Sequence, residues 1–465
     1  MSKKSRGKDL AINTLVIGIG KFSTQIVSFL LLPLYTSILT TNEYGIYDLI
    51  ITISTFLIPG ITLLMEESMF RFLIDCKTEE EKKKIISQSF IYITKSSSIF
   101  ILLALILIII KIPYSVIGLI YILTCILACL RNSLVRGLGK LKFYTVVNFV
   151  SSIINILCNV LFIAVFRFGI NGLLLAGIIA NLISTTIVFI KVNIFKYISY
   201  KSYDKKKTKE MVKYSFPLVP NSLSWTIVNL SDRLVISILM GTSYNGIYSM
   251  SYKFPNLMNT IYSFFYTAWK ESSARAMHDE DREQFFNKIN VILTKAMFSV
   301  SIGIISCLPI IFSFFIRKSF VSSYVYIPIL VIAMYYNNMS GYYGGIFSGF
   351  KDTKIMGITT IWGAIINLVV NLALIKFIGI YAAAISTLIS CMVIYYYKRI
   401  KIKKYINIKN VNMLSGILLL IINVISYYVN KNIVIKFIVL LITLLYCIYE
   451  NKQMINMIWK KLINK

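Results

Sequence analysis

The sequence predicts an all-α polytopic membrane protein of about fourteen transmembrane helices, arranged as two parallel six-helix repeats and a C-terminal helix pair. Three observations support this fold class: an apolar composition, apolar stretches long enough to cross a bilayer, and an internal repeat. Of the 465 residues, 57% are hydrophobic and 15% are charged, whereas a soluble domain is about half apolar and about a quarter charged. The composition therefore argues against a soluble enzyme, a disordered chain or a secreted disulfide scaffold.

Apolar stretches of about 20 residues, the length that spans the hydrocarbon core of a bilayer, recur along the whole chain. The first seven are Leu10–Leu34, Tyr44–Leu64, Gln88–Ile110, Tyr114–Leu134, Phe143–Phe166, Ile170–Ile190 and Tyr214–Met240. The second seven are Gly246–Ala268, Val291–Ile316, Val321–Phe347, Ile355–Ile375, Gly379–Tyr397, Val411–Val429 and Ile433–Tyr449. No long polar segment remains for a separate soluble domain.

The loops between these stretches alternate in positive charge. The side that carries the N-terminus and the basic loop Lys191–Lys213 holds 37 lysines and arginines, whereas the opposite side holds seven. Because strongly cationic loops stay on the cytoplasmic side, we expect both termini to be cytoplasmic. The net charge of +30 then faces anionic membrane lipids, and no nucleic-acid partner is expected.

Two parts of the chain resemble each other at a nearly constant offset. Residues 37–39 and 44–47 recur as 237–239 and 245–248, Asn155 and Asn159 recur as Asn367 and Asn371, and Gly169-Ile170 recurs as Gly379-Ile380. Both copies begin on the cytoplasmic side, which indicates a parallel repeat of the kind found in alternating-access transporters. We predict an N-terminal six-helix lobe, a basic cytoplasmic linker, a C-terminal six-helix lobe, and an additional two-helix segment with a cytoplasmic tail. Their bounds are 1–192, 193–213, 214–400 and 401–465.

Residues suited to catalysis or metal binding are scarce. The single histidine, His278, lies in a charged loop, and no histidine or carboxylate lies near Cys125 and Cys129 to complete a metal shell. Gly18-Ile19-Gly20-Lys21 lacks the spacing and the Ser or Thr of a phosphate-binding loop. We therefore expect a transporter rather than an enzyme, without catalytic residues, metal or cofactor.

Polar and charged side chains within the apolar stretches are the strongest functional signal, because a charge near the bilayer centre costs at least about 2.5–3.5 kcal/mol. Three cations and two carboxylates leave a net positive charge, which predicts a wet cavity that binds an anion such as a phosphate. The alternative is a set of structural ion pairs, for example Asp48 with Lys253 across the two halves. The candidate residues are Lys21, Gln25, Asp48, Asp232, Arg233 and Lys253. Lys95, Arg131 and Lys295 lie near cytoplasmic helix ends, where snorkelling explains them equally well.

The tenth apolar stretch is unusually polar for a transmembrane helix. It contains Tyr335-Tyr336-Asn337-Asn338 and, one turn later, Tyr342. Asn337, Asn338 and Tyr342 are candidates to line the cavity and to hydrogen-bond or stack against sugars. The repeated asparagine pairs, spaced i and i+4, are expected to form interhelical hydrogen bonds.

The repeat, with Asp232-Arg233-Leu234-Val235-Ile236, Gly241 and Asn245-Gly246-Ile247-Tyr248, resembles polysaccharide repeat-unit flippases. These are the Wzx-type (O-antigen and capsule) members of the multidrug/oligosaccharidyl-lipid/polysaccharide exporter superfamily. The resemblance implies V-shaped lobes in the bacterial cytoplasmic (inner) membrane, and the transport of undecaprenyl-pyrophosphate-linked oligosaccharide. It further implies a cationic lumen at Lys21, Arg233 and Lys253 for the pyrophosphate, a lipid-tail groove at the last two helices, and polymerase and chain-length proteins of the same pathway as partners.

Three other functions remain open. A lipid II flippase also has fourteen helices, but its family expects an arginine cluster where this chain has Lys21, Asp48 and Lys253. A multidrug/cation antiporter of the superfamily usually has twelve helices, with a carboxylate in the first. A membrane polysaccharide polymerase would be an enzyme with a large outward loop, and every outward loop here is short.

Overall fold

The computed structural model describes residues 29–200, 203–350, 352–429, 432–452 and 455–456, and the regular structure of these residues is entirely helical, with no strand. The helices form two units, Met1–Ser231 and Asp232–Lys465, which we call the first and the second unit. The division falls within a helix, later in the chain than the boundary at residue 214 predicted from the basic linker.

The first unit contains eight α-helices within its described residues. They are α1 Leu32–Ile38, α2 Thr41–Thr62, α3 Met65–Asp75, α4 Glu79–Ile109, α5 Ser115–Gly137, α6 Leu141–Asn159, α7 Gly169–Val192 and α8 Lys205–Ser215. A π-helical segment, Val160–Val165, continues α6. Helix α9, Leu218–Leu239, contains the division between the units.

The second unit contains seven further α-helices within its described residues. They are α10 Thr242–Arg275, α11 Arg282–Phe315, α12 Ile327–Gly349, α13 Thr353–Ile378, α14 Tyr381–Ile402, α15 Leu414–Val429 and α16 Ile433–Glu450. A 3-10 segment, Lys318–Tyr326, precedes α12. Helix α12 then begins with a proline at its first turn, a position where proline fits because it needs no amide hydrogen bond.

Local sequence explains where the first helices begin and end. Thr40 and Thr78 form capping boxes at the starts of α2 and α4, each with a glutamate three residues later. Helix α2 ends because Leu63 and Leu64 both adopt left-handed backbone conformations, with φ of 48° and 53°. Leucine rarely adopts this conformation, so α2 and α3 are separated by a locally strained break.

The same helix pairs pack in the two units, as the sequence repeat predicts. In the first unit α3 packs on α5, α5 on α7, and α6 on α7. In the second unit α10, which corresponds to α2 and α3 together, packs on α12, α12 packs on α14, and α13 packs on α14. Helices α15 and α16 have no counterpart among the described helices of the first unit, and both pack on α11.

Nine helices of the described part of the chain are long and apolar enough to cross a membrane, and α15 is a shorter apolar helix. Three more long helices, α9, α10 and α14, complete the set and carry charged residues, including Asp232, Arg233 and Lys253. Thirteen of the fourteen predicted stretches thus lie on helices. The other, Leu10–Leu34, falls mostly outside the described residues.

The segment that follows α7 is held against the start of α4 in the first unit. The Ser87 hydroxyl donates to the carbonyl of Tyr197 at 2.6 Å and accepts from the amide of Ser199 at 3.0 Å. The side-chain carbonyl of Gln88 accepts from the Asp204 amide at 3.1 Å, and the Asp204 carboxylate pairs with Lys84 at 2.8 Å. We call these contacts the first clasp. The predicted basic linker is therefore docked on the first unit.

The segment that follows α14 is held in the same way in the second unit. The Asn287 side chain donates to the carbonyl of Asn407 at 3.0 Å and accepts from the amide of Lys409 at 2.7 Å. Asn290 donates to the Lys409 carbonyl at 3.3 Å. We call these contacts the second clasp. Ser87 and Asn287 differ by the repeat offset of 200, and each contacts one carbonyl and the amide two residues later.

Candidate functional site

Asp232 lies at the centre of a buried polar cluster in the second unit. It is 1% exposed, and its carboxylate accepts hydrogen bonds from Tyr248 at 2.8 Å, Thr387 at 2.8 Å and Asn371 at 2.9 Å. The three donors come from α10, α14 and α13, so the carboxylate joins four helices. An ionised carboxylate away from water requires such partners, and the cluster satisfies Asp232 without a direct salt bridge among the contacts of the described residues.

Asn367 and Asn371 complete this group, which we call the Asp232 cluster: Asp232, Tyr248, Asn367, Asn371 and Thr387. The amide of Asn367 donates to Ser386 at 3.2 Å and to Thr387 at 3.3 Å, so both asparagines form the interhelical hydrogen bonds that their spacing predicts. The side-chain oxygen of Asn371 is buried without a hydrogen-bond partner among the described residues. A carboxylate, a free amide oxygen and a hydroxyl are hard donors that could hold a proton or a monovalent cation.

Arg233 and Lys253 carry the two predicted cavity cations that the structure describes. Arg233 is 9% exposed, and its guanidinium lies over the ring of Tyr252 with 5.4 Å to the ring centre. Tyr252 packs edge-on against Tyr248 with 5.3 Å between ring centres, next in sequence to the half-buried Lys253. The two charges of the Asp232-Arg233 dipeptide therefore have separate partners, the carboxylate in the Asp232 cluster and the guanidinium on an aromatic ring.

The three predicted sugar-binding residues of α12 have different surroundings. Tyr342 is fully buried, its hydroxyl donates to the carbonyl of Phe286 at 2.7 Å, and its ring stacks on Trp269 at 4.8 Å. Asn338 is buried, and its amide nitrogen lacks a partner among the described residues. Asn337 is half-buried. Tyr342 is thus engaged in packing within the second unit, while Asn337 retains partial access to solvent or ligand.

The remaining predicted site residues belong to the first part of the chain. Lys21 and Gln25 lie outside the described residues. Asp48 is half-buried on α2, and its backbone carbonyl accepts from the Thr52 hydroxyl at 2.8 Å. Asp232 and Arg233 therefore lie on α9 and Lys253 on α10, whereas Asn337, Asn338 and Tyr342 lie on α12.

Sequence reasoning missed two kinds of buried polar residue. Thr387 is one of the donors to Asp232, and its signal in the sequence is the preceding group of small and hydroxyl residues, Ala382, Ala383, Ala384 and Ser386. Arg131 is 2% exposed and donates to Ser184 and Asn132, so its side chain is held inside the first unit instead of snorkelling to the surface. The hydrophobic periodicity and the charge of a sequence do not by themselves show whether a polar side chain is buried inside a unit or reaches the surface.

The sequence comparisons identify the family. The family described as "Polysaccharide biosynthesis protein" matches residues 10–269, more than half of the chain. The chain belongs to this family. A relative from Methanocaldococcus jannaschii, named as the uncharacterized membrane protein MJ1375, is 24% identical over 327 residues, which are 64% of this chain and 73% of the relative.

Two solved structures have a fold similar to that of this chain. The lipid II flippase MurJ in an inward closed conformation aligns with a TM-score of 0.72 and 17% identity, covering 97% of this chain and 100% of that one. A multidrug resistance MATE family transporter of the MOP superfamily, facing inward, aligns with a TM-score of 0.66 and 14% identity, covering 83% and 98%. These matches and the apolar helices confirm the predicted multi-pass, all-α transporter fold.

Proposed function

We propose that the protein is a flippase that moves undecaprenyl-pyrophosphate-linked oligosaccharide repeat units across the bacterial cytoplasmic membrane by alternating access, for surface polysaccharide biosynthesis. Membership of the polysaccharide biosynthesis family carries this proposal, and the fold shared with flippase and exporter structures supports it. Transporters built from parallel repeats work by alternating access, which exposes the substrate site to either leaflet in turn.

The cations supply the chemistry of recognition in this proposal. Arg233 and Lys253, with Lys21 from the first predicted helix, would bind the pyrophosphate, because guanidinium and ammonium groups form short charge-assisted hydrogen bonds to phosphate oxygens. Arg233 is already oriented by the ring of Tyr252, which limits the entropy lost when it binds an anion. Asn337 is the α12 residue best exposed to hydrogen-bond a sugar. Polymerase and chain-length proteins would act on the product.

Neutral substitution of the three cations tests the site. The triple variant Lys21→Gln, Arg233→Gln, Lys253→Gln should abolish surface polysaccharide in cells whose own flippase is deleted, while the protein stays in the membrane at wild-type abundance. Lys376→Gln, an exposed lysine at the end of α13, is the matched control and should leave export unchanged. Full export by the triple variant would refute the assignment of these residues.

A lipid II flippase is the second candidate, because the MurJ alignment extends over almost the whole chain. Complementation separates the two functions: the proposal predicts rescue of a strain lacking its repeat-unit flippase and no rescue of a strain depleted of its lipid II flippase. The reverse result would assign the protein to cell-wall synthesis. A multidrug/cation antiporter would instead confer drug resistance, and a polymerase would lengthen glycans in purified form.

The orientation belongs to the same proposal. If both termini are cytoplasmic, a reporter protein that works only in the cytoplasm should be active when it is fused after a basic loop, and a reporter that works only in the periplasm should be inactive there. A C-terminal periplasmic reporter with full activity would overturn the orientation, independently of the substrate.

A further inference from the structure

A cavity of about 410 Å³ lies within the second unit, between α11, α12, α14 and the start of α15. Its volume falls in the range of small-molecule sites, roughly 300–1,000 Å³. None of the described residues that line it belongs to α9 or α10. The cavity is therefore separate from the Asp232 cluster and from the proposed pyrophosphate ligands Arg233 and Lys253.

The lining of this cavity changes from polar to apolar along its length. On α11, Asn290 and Thr294 come first and Phe298 follows one turn later; Ser301 lies beyond Phe298, and its hydroxyl is already bonded to the Met297 carbonyl at 2.9 Å. On the chain that enters α15, Asn410 is followed by Met413, Ile417 and Leu420. The polar end lies at the second clasp, where Asn290 binds the Lys409 carbonyl. Such a gradient matches a molecule with a polar head and an apolar tail.

Among the described residues that line the cavity, Arg399 is the charged one and none is a carboxylate. Its guanidinium donates to the side chain of Asn410 and, at 3.3 Å, to the hydroxyl of Tyr395. These contacts use two of its five N–H donors. The segment around it adds exposed lysines and no acidic residue from 398 to 412. Two carboxylates of the second unit are already engaged: Glu450 pairs with Lys295 at 2.7 Å, and Asp352 accepts from the Tyr405 hydroxyl of this segment at 2.8 Å. The polar end therefore favours an anion.

We propose that this cavity binds an anionic glycerophospholipid of the surrounding membrane, with its phosphate on Arg399 and one acyl chain along the start of α15. Arginine suits this role because its planar fork matches phosphate oxygens, and basic pockets between transmembrane helices bind lipid headgroups. The rings of Tyr335, Tyr336 and Tyr396 also line the cavity. The bound lipid links α14 to the appended helix α15.

Lipid binding by the purified full-length protein tests the proposal. Native mass spectrometry of the detergent-solubilised protein, titrated with dioleoyl phosphatidylglycerol, should show one retained lipid, and dioleoyl phosphatidylcholine should bind at least about tenfold more weakly. Arg399→Gln should weaken phosphatidylglycerol binding by about tenfold or more. Lys401→Gln, an exposed neighbour that does not line the cavity, should bind as wild type.

A second variant guards against a folding defect in Arg399→Gln. Ile417→Trp leaves Arg399 and its two hydrogen bonds in place but fills the apolar end, so it should also lose the retained phosphatidylglycerol. Equal binding of both lipids, or wild-type binding by Arg399→Gln and Ile417→Trp, would overturn the proposal. Displacement of phosphatidylglycerol by an equimolar amount of undecaprenyl phosphate would overturn it too, because the cavity would then belong to the transport substrate.

Discussion

The two units share their helix packing but differ at the position where the second unit carries its buried acid. At the repeat offset of 200, Asp232 corresponds to Leu32, which is fully buried. At the offset of 210, Thr387 corresponds to Gly177, where an added Cβ would lie 2.9 Å from a ring carbon of Tyr121. The first unit thus has neither the carboxylate nor room for the hydroxyl that binds it in the second.

The repeated asparagines also form different hydrogen bonds in the two units. In the first unit, the amide of Asn159 donates to the backbone carbonyl of Asn155 at 2.7 Å and to its side chain at 2.9 Å, both within one helix. In the second unit, the amide of Asn371 crosses to Asp232 at 2.9 Å. The repeat therefore supplies a common scaffold, and the charged chemistry of the Asp232 cluster arises in one copy only.

Making the second unit like the first should have the largest effect. Asp232→Leu leaves Tyr248, Asn371 and Thr387 without their acceptor, and each buried donor left unpaired costs about 1–3 kcal/mol. We expect a melting temperature lowered by several degrees and loss of polysaccharide export. Thermal unfolding of the purified protein and a surface-polysaccharide assay measure the two effects.

Two further variants separate charge from shape at this position. Asp232→Asn keeps the size of the side chain, so it should retain more stability than Asp232→Leu while still losing export if the negative charge acts in transport. Leu32→Val, the matched change in the first unit, should lower stability by only about 0.5–1.5 kcal/mol and preserve export. Wild-type stability and export in Asp232→Leu would show that the acid is dispensable.

The helices could be predicted from sequence because their signal is local. A stretch such as Tyr44–Leu64 is apolar over the length of a bilayer, and its predicted end coincides with the break at Leu63 and Leu64. The repeat also predicted which helices correspond. The start of α12 was harder to predict, because the predicted stretch begins at Val321, within residues that form a 3-10 segment ahead of the helix.

The environment of each polar side chain could not be predicted in the same way. Tyr342 and Asn337 lie in the same polar run, yet one is fully buried against Trp269 and the other is half-buried. Asp232 and Arg233 are adjacent, yet one joins three donors from other helices and the other lies on Tyr252. These differences depend on which neighbouring helix faces each side chain, which a single sequence does not encode locally.

The two clasps provide a smaller test of the comparison. Asn287→Ala removes both hydrogen bonds to the Asn407–Lys409 segment, whereas Ser87→Ala leaves the Gln88 and Lys84 contacts of the first clasp in place. We expect Asn287→Ala to weaken its clasp by about 1–2 kcal/mol, which corresponds to roughly 5–30-fold faster amide exchange, and Ser87→Ala to have a smaller effect. Hydrogen exchange with mass spectrometry measures both segments.

The matched controls are substitutions at residues that take part in the clasps only through their backbone groups. Asn407→Ala and Ser199→Ala keep the carbonyl and the amide that the clasps use, so both should exchange as wild type. If Asn287→Ala also exchanged as wild type, the second clasp would not hold its segment.

The smallest predicted difference between the two clasps is their response to acidic pH. The hydrogen bond from Lys84, together with the backbone amides of Lys207 and Lys206, holds the pKa of the Asp204 carboxyl below its ordinary value. A depressed pKa means that Asp204 stabilises the folded state above the pKa of the unfolded chain, about 3.9, and that this contribution is lost as the pH falls through the lower folded value. The side chains of the second clasp, Asn287 and Asn290, carry no group that titrates there.

We therefore expect amide exchange of the segment after α7, corrected for its intrinsic pH dependence, to accelerate as the pH falls below about 4, while the segment after α14 shows no such change. Asp204→Asn removes the titrating group, so its exchange should be faster at neutral pH and should not change further on acidification. Equal acid sensitivity of the two segments in the wild type would mean that a general loosening of the protein, rather than protonation of Asp204, opens the first clasp. A pH-independent first clasp would mean that Gln88 and Ser87 hold the segment without help from the Lys84–Asp204 pair.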